Sequence, residues 1–167
     1  RAGAGIARIK GARGRCLVVQ AFVRVSRWRP GRIGPTYRPD ESYPVIAEAV
    51  ASLGLECLRF GTGESRGIDG PMFRLLREAE VVIADVSVTF KDVVLALGIR
   101  FGLCPARTIL VGADGWVPPQ FTALPIVRFT PLDTSPGIAD PAAFRSALAE
   151  RIKDSLATGA VDSPVYL

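Results

Sequence analysis

Apolar runs of strand length alternate along the chain with stretches in which apolar residues recur at helical spacing. The runs predict five strands, at 16–22, 55–60, 80–86, 107–112 and 125–129. They are nearly continuous in apolar residues, as is typical of strands buried on both faces of a parallel sheet. Between and after them, the spacing predicts a helix capped by Asp40 and stopped by Gly54, then helices over 71–78, 91–103 and 140–156.

This alternation indicates an α/β fold with a doubly wound, parallel five-stranded sheet and right-handed crossovers. The predicted strand order is the flavodoxin-like 2-1-3-4-5. Ligands of such sheets bind beyond the carboxyl ends of the strands, where the winding direction reverses, here between strands one and three. At this reversal we expect residues 85–87 to lie close to the stretches 23–40 and 61–70. Both stretches contain Gly and are predicted to be loops.

Two helices carry more specific expectations. Asp69 precedes Pro71 and is predicted to cap the second helix, whose packing face we expect to be Met72, Phe73, Leu75 and Leu76. The third helix is expected to pack through Val94, Leu97 and Phe101. Arg100 on that helix is expected to extend toward solvent and to pair with an acid.

The composition narrows the chemistry. The chain has no histidine, which excludes Ser-His and Cys-His nucleophile pairs and histidine-ligated metals. Its three cysteines are odd in number and lack C-x-x-C spacing, so we expect reduced thiols, with Cys57 and Cys104 in the core, and no metal site. No cofactor is expected. No apolar run is long enough to cross a bilayer, so we expect a cytoplasmic protein without membrane contact.

The net charge of +5 is unevenly distributed. Residues 1–38 hold ten basic residues and no acidic one, whereas the rest of the chain holds 11 basic and 16 acidic residues. The positive charge therefore belongs to the amino-terminal part and not to a face of the core, which disfavours a nucleic-acid partner. Residues 1–14 have no periodicity and are expected to be a flexible basic leader to a single α/β domain over 15–158.

Several segments, taken together, resemble bacterial domains related to nucleoside 2-deoxyribosyltransferases. The resemblance rests on residues 16–22 (CLVVQAF), 67–73 (GIDGPMF), 82–87 (VIADVS) and 97–105 (LGIRFGLCP). These deoxyribohydrolase-like domains belong to a wider TIR-like group. The pattern is also similar to the N-terminal, TRAF-binding-type region of apoptosis signal-regulating kinases, which precedes helical repeats. Residues 159–167 resemble the junction to such repeats.

The resemblance implies cleavage or transfer at an N-glycosidic bond, in which a carboxylate attacks or stabilises an oxocarbenium-like carbon. The family's catalytic glutamate stands directly before a Leu-Gly pair, and this chain has Ala96 there. Asp85 and Asp92 are the remaining candidates for a catalytic carboxylate. Asp92 lies one helical turn before Ala96, a displacement of about 6 Å along the axis. A solvated aspartate at the start of a helix is the better interpretation of Asp92.

The ligand-binding candidates flank the expected crevice: Phe22, Arg24, Asp69, Met72, Asp85 and Ser87. Asp85 is equally well interpreted as a ribose-binding carboxylate or as a cap for the turn that follows it. Arg24, Arg27 and Arg29 are candidates for holding phosphate, against the alternative of a solvated loop.

We expect a catalytically degenerate nucleotide-pocket domain, serving as a sensor or interaction module in a larger signalling or bacterial conflict-system protein. Its partners would be a nucleoside or nucleotide ligand and either another protein or its own C-terminal repeats. The alternative is an active N-glycosidase or deoxyribosyltransferase acting on a nucleoside, a nucleotide or NAD. A nucleic-acid-associated module that uses the arginine-rich leader is the weakest of the three hypotheses.

Overall fold

The computed structural model describes residues 14–21, 25–29, 32–38, 41–60, 69–88, 90–132, 135 and 137–167. Residues 1–13 of the leader expected over 1–14 lie outside these residues, as do the candidates Phe22 and Arg24. For residues 25–29 and 32–37 only the backbone is described.

A five-stranded parallel sheet forms the centre of the domain. Its strands are β1 (Arg15–Val19), β4 (Glu56–Arg59), β5 (Val81–Asp85), β6 (Thr108–Ala113) and β7 (Ile126–Phe129), and their spatial order is β4-β1-β5-β6-β7. All four pairs are parallel. When only the five strands of this sheet are numbered, in chain order, their spatial order is 2-1-3-4-5. This order confirms the predicted fold class.

Within the described residues, four α-helices cover the two faces of the sheet: α1 (Tyr43–Ser52), α2 (Gly70–Glu78), α3 (Lys91–Leu103) and α4 (Pro141–Thr158). One apolar cluster packs α1 and α4 on residues such as Val18 and Ile83. The other packs α2 and α3 on residues such as Val19 and Ala84, which alternate with the first set along the same strands. The central strands are therefore buried on both faces, which explains their continuous apolar sequence.

The predicted loop over 23–40 contains an antiparallel hairpin, so that prediction is wrong. Strands β2 (Val25–Arg29) and β3 (Arg32–Tyr37) pair with each other in a separate two-stranded sheet, with a register shift between Ser26 and Trp28. Gly and Pro are typical of turns, so their presence in this stretch concealed two short strands whose apolar and polar residues alternate only weakly.

The start of α1 also differs from the prediction. The helix begins at Tyr43 with Ser42 at the cap position, and the predicted cap Asp40 lies outside the described residues. For α2 the prediction is confirmed, because the Asp69 carboxylate accepts a hydrogen bond of 3.0 Å from the Met72 N–H.

Parts of the predicted packing faces are wrong. Phe73 and Val94 are exposed, and the buried face of α3 consists of Val93, Ala96, Leu97, Arg100 and Phe101. Arg100 does not extend to solvent: it is 2% exposed and donates to the carbonyls of Leu76, Ala79, Ala106 and Arg107 and to the Thr108 hydroxyl. Helical spacing gives the period of a buried stripe but not which of two adjacent stripes faces the sheet.

The three thiols are free. Cys16 is fully buried, and Cys57 is partly buried and packs against the apolar cluster that contains Cys16. Cys104 is partly buried and belongs to neither apolar cluster, so the expectation that it lies in the core is wrong. Burial raises the pKa of Cys16 and of Cys57, and the Tyr43 hydroxyl lies 3.8 Å from the Cys57 sulfur. The described residues contain no helix long and apolar enough to cross a membrane.

Candidate functional site

The carboxyl edge of the sheet brings the candidate residues together. The chain leaves β1 toward α1 on one face and leaves β5 toward α3 on the other, so the winding direction reverses between β1 and β5. In open α/β sheets this reversal opens a crevice at the strand ends. Gln20 follows β1, Asp85 ends β5, and Ser42 precedes α1 at the same edge.

Four buried polar residues form one hydrogen-bonded group at the reversal, which we call the Asp85 network: Gln20, Ser42, Asp85 and Ser87. They are between 0% and 2% exposed. Asp85 accepts from the Ser42 hydroxyl at 3.2 Å and from the Gln20 amide at 3.3 Å, and Gln20 also donates to Ser42 at 2.8 Å. The Ser87 N–H donates to Asp85 at 2.9 Å, and the Ser87 hydroxyl also donates to Asp85. The same hydroxyl accepts from the Ala113 N–H at 2.8 Å.

The network fixes the edge on which a ligand would rest. Gln20, Ser42 and the turn of Asp85 and Ser87 lie on three different segments. The ends of β1 and β5 and the start of α1 are therefore tied to one carboxylate, and the end of β6 is tied to it through the Ser87 hydroxyl. Asp85 makes the turn-capping bond to Ser87 that one interpretation predicted. A ribose hydroxyl that reached Asp85 would replace one of these protein donors or share an oxygen with it.

The other candidates lie in different environments. Met72 is fully buried in the cluster between α2 and the sheet, so its side chain is a core element. Asp69 is occupied as the cap of α2 and is partly exposed. Asp92 lies in the first turn of α3, partly buried, at the same edge as the Asp85 network. The described residues contain no group of three or more Cys, Asp and Glu side chains placed to hold a metal ion.

Sequence reasoning missed two members of the network. Gln20 was visible as the one polar residue in an otherwise apolar strand run, and a buried amide requires a partner. Ser42 had no signal of its own, because Asp40 and Ser42 are equally acceptable helix caps in sequence. Only the fold shows that the Ser42 hydroxyl donates to Asp85 and makes no cap bond to α1.

A further groove of the described structure lies elsewhere. It has a volume of about 650 Å³ and runs along the outer side of α3, lined by Lys91, Val94, Leu95, Gly98 and Ile99. This surface is mainly apolar and faces away from the sheet. It presents no convergent polar groups of the kind that orient a small ligand, so we place the candidate site at the strand ends.

No family model and no curated protein matches this sequence. Solved structures do resemble its backbone. The flavodoxin-like domain of a Synechococcus protein superposes with a TM-score of 0.51 at 14% identity, covering 83% of this chain and 96% of that one. The fold is flavodoxin-like. A diflavin flavoprotein A3 from Nostoc gives a TM-score of 0.52 at 14% identity, covering 86% of this chain and 96% of that one. At this identity the likeness concerns the fold alone.

Proposed function

We propose that this flavodoxin-like domain is a catalytically degenerate nucleotide-pocket domain, a sensor or interaction module of a larger signalling or conflict-system protein. It holds a nucleoside or a nucleotide at the carboxyl edge between β1 and β5 and does not cleave it. We place it in the cytoplasm, where free thiols such as those of its three cysteines persist.

The observation that carries the loss of catalysis is the side chain at position 96. The resemblance puts the family's catalytic glutamate at this position, and Ala96 is fully buried in the apolar cluster between α3 and the sheet. A carboxylate there would lie among apolar side chains and out of contact with solvent. Since the chain also lacks histidine, no imidazole replaces the missing group. Loss of a charged group at the reacting centre removes several kcal/mol of transition-state stabilisation.

The Asp85 network supports the retention of a binding edge. Buried polar groups that are satisfied by one another hold a fixed geometry without any ligand. The network therefore gives a reason why the strand ends keep their shape after catalysis is lost.

Exposed apolar side chains support the interaction role. Leu103 ends α3, and Tyr166 in the C-terminal segment donates its hydroxyl to the neighbouring Gly102 carbonyl. Val161 and Val165 on the same segment are 46% and 64% exposed. Contiguous exposed apolar residues favour a protein contact, with another protein or with the domain's own C-terminal repeats.

The competing function is an active N-glycosidase or deoxyribosyltransferase, favoured by the position of Asp92 at the same edge as Asp85. The test is chromatographic detection of free base after incubation with deoxynucleosides, nucleotides and NAD. Wild type is expected to release no more base than a protein-free control. Turnover by wild type that Asp92→Asn or Asp85→Asn abolishes, with the variants still folded, would establish the enzyme and overturn the proposal.

A further inference from the structure

Two of the three cysteines lie side by side in the five-stranded sheet. Cys16 on β1 and Cys57 on β4 are directly opposed in the register of this parallel pair, and both thiols are free. Adjacent strands lie about 4.8 Å apart, which is within the range of Cα separations that a disulfide bond spans. Cys104 follows the end of α3 and lies on neither strand. The backbone therefore brings one pair of thiols together.

The side chains of this pair share one face of the sheet. Cys16 belongs to the apolar cluster that also contains residues of α1 and α4, and Cys57 packs against the same cluster. The next pair in the register, Leu17 and Leu58, packs on the opposite face. Burial raises the pKa of Cys16, and the neighbouring Cys57 raises it further. The two thiols thus have the spacing and the common direction that a bond between their sulfur atoms requires.

The two thiols differ in access, which sets the order in which they react. Cys16 is fully buried, whereas Cys57 is partly exposed on β4, the strand at one end of the sheet. Burial raises the pKa of Cys57, while its hydrogen bond with the Tyr43 hydroxyl and the positive charge of Arg59 oppose that rise. The Arg59 guanidinium lies 4.3 Å from the centre of the Tyr43 ring. Cys57 is therefore the thiol of the pair that a small oxidant reaches first.

We infer that Cys16 and Cys57 are a modification site, at which hydrogen peroxide forms a reversible disulfide bond between β1 and β4. The Cys57 sulfur attacks one oxygen of the peroxide, the O–O bond breaks, and the other oxygen leaves as water with the thiol proton. The product is a sulfenic acid at Cys57. Cys16 then attacks the Cys57 sulfur, the S–O bond breaks, and a second water leaves with the Cys16 proton. The dithiol loses two electrons and two protons, and the peroxide is reduced to two molecules of water.

This inference does not rest on the proposed function. In the cytoplasm, thiols are kept reduced, and the disulfides that do form there are usually transient and responsive to oxidants. A pair that is reduced at rest and closes on contact with peroxide fits that pattern. The bond would close the part of the chain that runs from β1 through the β2–β3 hairpin and α1 to β4.

The test is treatment of the reduced wild-type protein with a small excess of hydrogen peroxide. The remaining thiols are then blocked, and tryptic peptides are analysed by mass spectrometry without reduction. Cys16 and Cys57 fall on different tryptic peptides, because Arg24 lies between them. The expected product is monomeric protein in which these two peptides are linked, with the loss of two hydrogen atoms in mass, and dithiothreitol should restore both thiols. A Cys16 that stays reduced, or a bond through Cys104 or to a second copy of the chain, overturns the inference.

Three variants test the order of the two steps. Cys16→Ala should accumulate the sulfenic acid at Cys57, where dimedone traps it, because no neighbouring thiol resolves it. Cys57→Ala should leave Cys16 reduced at the peroxide dose that converts wild type. Cys104→Ala is the matched control and should form the disulfide as completely as wild type does. Oxidation of Cys16 in Cys57→Ala, or loss of the disulfide in Cys104→Ala, overturns the inference, and the wild-type peptide map decides the matter if a core variant does not fold.

Discussion

Asp85 and Arg100 bury their charged groups at opposite edges of the sheet. Asp85 accepts hydrogen bonds from Gln20, Ser42 and Ser87 at the carboxyl edge. Arg100 donates to four carbonyls and to the Thr108 hydroxyl, near the start of β6, at the amino edge. Burial lowers the pKa of Arg100. Each of the two residues links several segments at its own edge of the sheet.

We predict that Arg100→Met is among the most destabilising single substitutions in the chain. Methionine fills much of the volume but leaves several buried carbonyls without a donor, each at a cost of roughly 1–3 kcal/mol. The free energy of unfolding, measured in urea, should fall by roughly 3 kcal/mol or more. Arg145→Met, at an exposed ion pair with Glu48, is the control and should change it by less than about 1 kcal/mol. Similar effects of the two substitutions would contradict the role assigned to Arg100.

Position 96 gives a second prediction at this scale. Ala96→Glu puts a carboxylate into an apolar cluster, so it should destabilise the domain by roughly 2–5 kcal/mol at neutral pH. Ala96→Gln adds nearly the same volume without the charge and should cost less. Burial should raise the pKa of the new glutamate, so the difference between the two variants should grow as the pH rises.

Leu95→Glu places the same charge one residue away, where the side chain is 51% exposed, and serves as the control. It should change the unfolding midpoint little. If Ala96→Glu were as mild as Leu95→Glu, position 96 would be open to solvent, and the argument that the family carboxylate has no site here would be lost.

Among the elements, the C-terminal segment packs back onto the domain. Ser163 is fully buried and donates to the Phe101 carbonyl at 2.8 Å. The Asp162 carboxylate accepts from the Thr108 N–H at 3.0 Å, and Val161 bridges to Ala106. The segment predicted to be a junction therefore contacts the end of α3 and the start of β6. That helical repeats follow it stays a prediction.

Asp162 should make the stability of this region depend on pH. Burial raises the pKa of Asp162 above the ordinary value of 3.8. Hydrogen bonds from the Thr108 and Arg107 backbone and the positive charges of Arg151 and Arg100 lower it, but by less. The folded state then binds the proton more tightly than the unfolded chain. The contribution is fully present below the unfolded pKa and is lost as the pH rises through the raised folded pKa.

The measurement is urea unfolding as a function of pH for wild type and Asp162→Asn. The stability of wild type relative to the variant should decline across that acidic window and stay constant above it. Glu150→Gln, which removes a carboxylate from an exposed position on α4, is the control and should not reproduce the effect of Asp162→Asn. A relative stability that increases with pH would mean that the ionised carboxylate is the favoured form.

The elements differ in how far the sequence predicts them. β1, β5 and β6 are continuous apolar runs that become central strands, so their burial on both faces is visible in composition alone. The hairpin was missed because turn-forming residues separate and interrupt its strands. The Asp85 network was half predicted: Asp85 and Ser87 are adjacent at one strand end, whereas Gln20 and Ser42 meet them only through the order of strands, which local patterns do not encode.

For the whole molecule, the account depends on one topological fact. The sheet reverses its winding between β1 and β5, and the Asp85 network and the base of the β2–β3 hairpin lie at that reversal. The proposed function takes its class of ligand from the resemblance and its loss of cleavage from Ala96. Ligand contacts should therefore concentrate at the carboxyl edge, away from the groove on the outer side of α3.

A single nuclear magnetic resonance titration tests both where the ligand binds and whether it is cleaved, since a 17.8 kDa domain gives resolved backbone amide spectra. Deoxynucleoside 5′-monophosphates are added to labelled protein, and the amide shifts and the anomeric proton of the ligand are followed over a day. The account predicts shifts centred on Gln20, Ser42, Val86 and Ser87, with no new anomeric signal of released sugar over the day. Shifts confined to the groove around Leu95 and Ile99, or a new anomeric signal from released sugar, would contradict it.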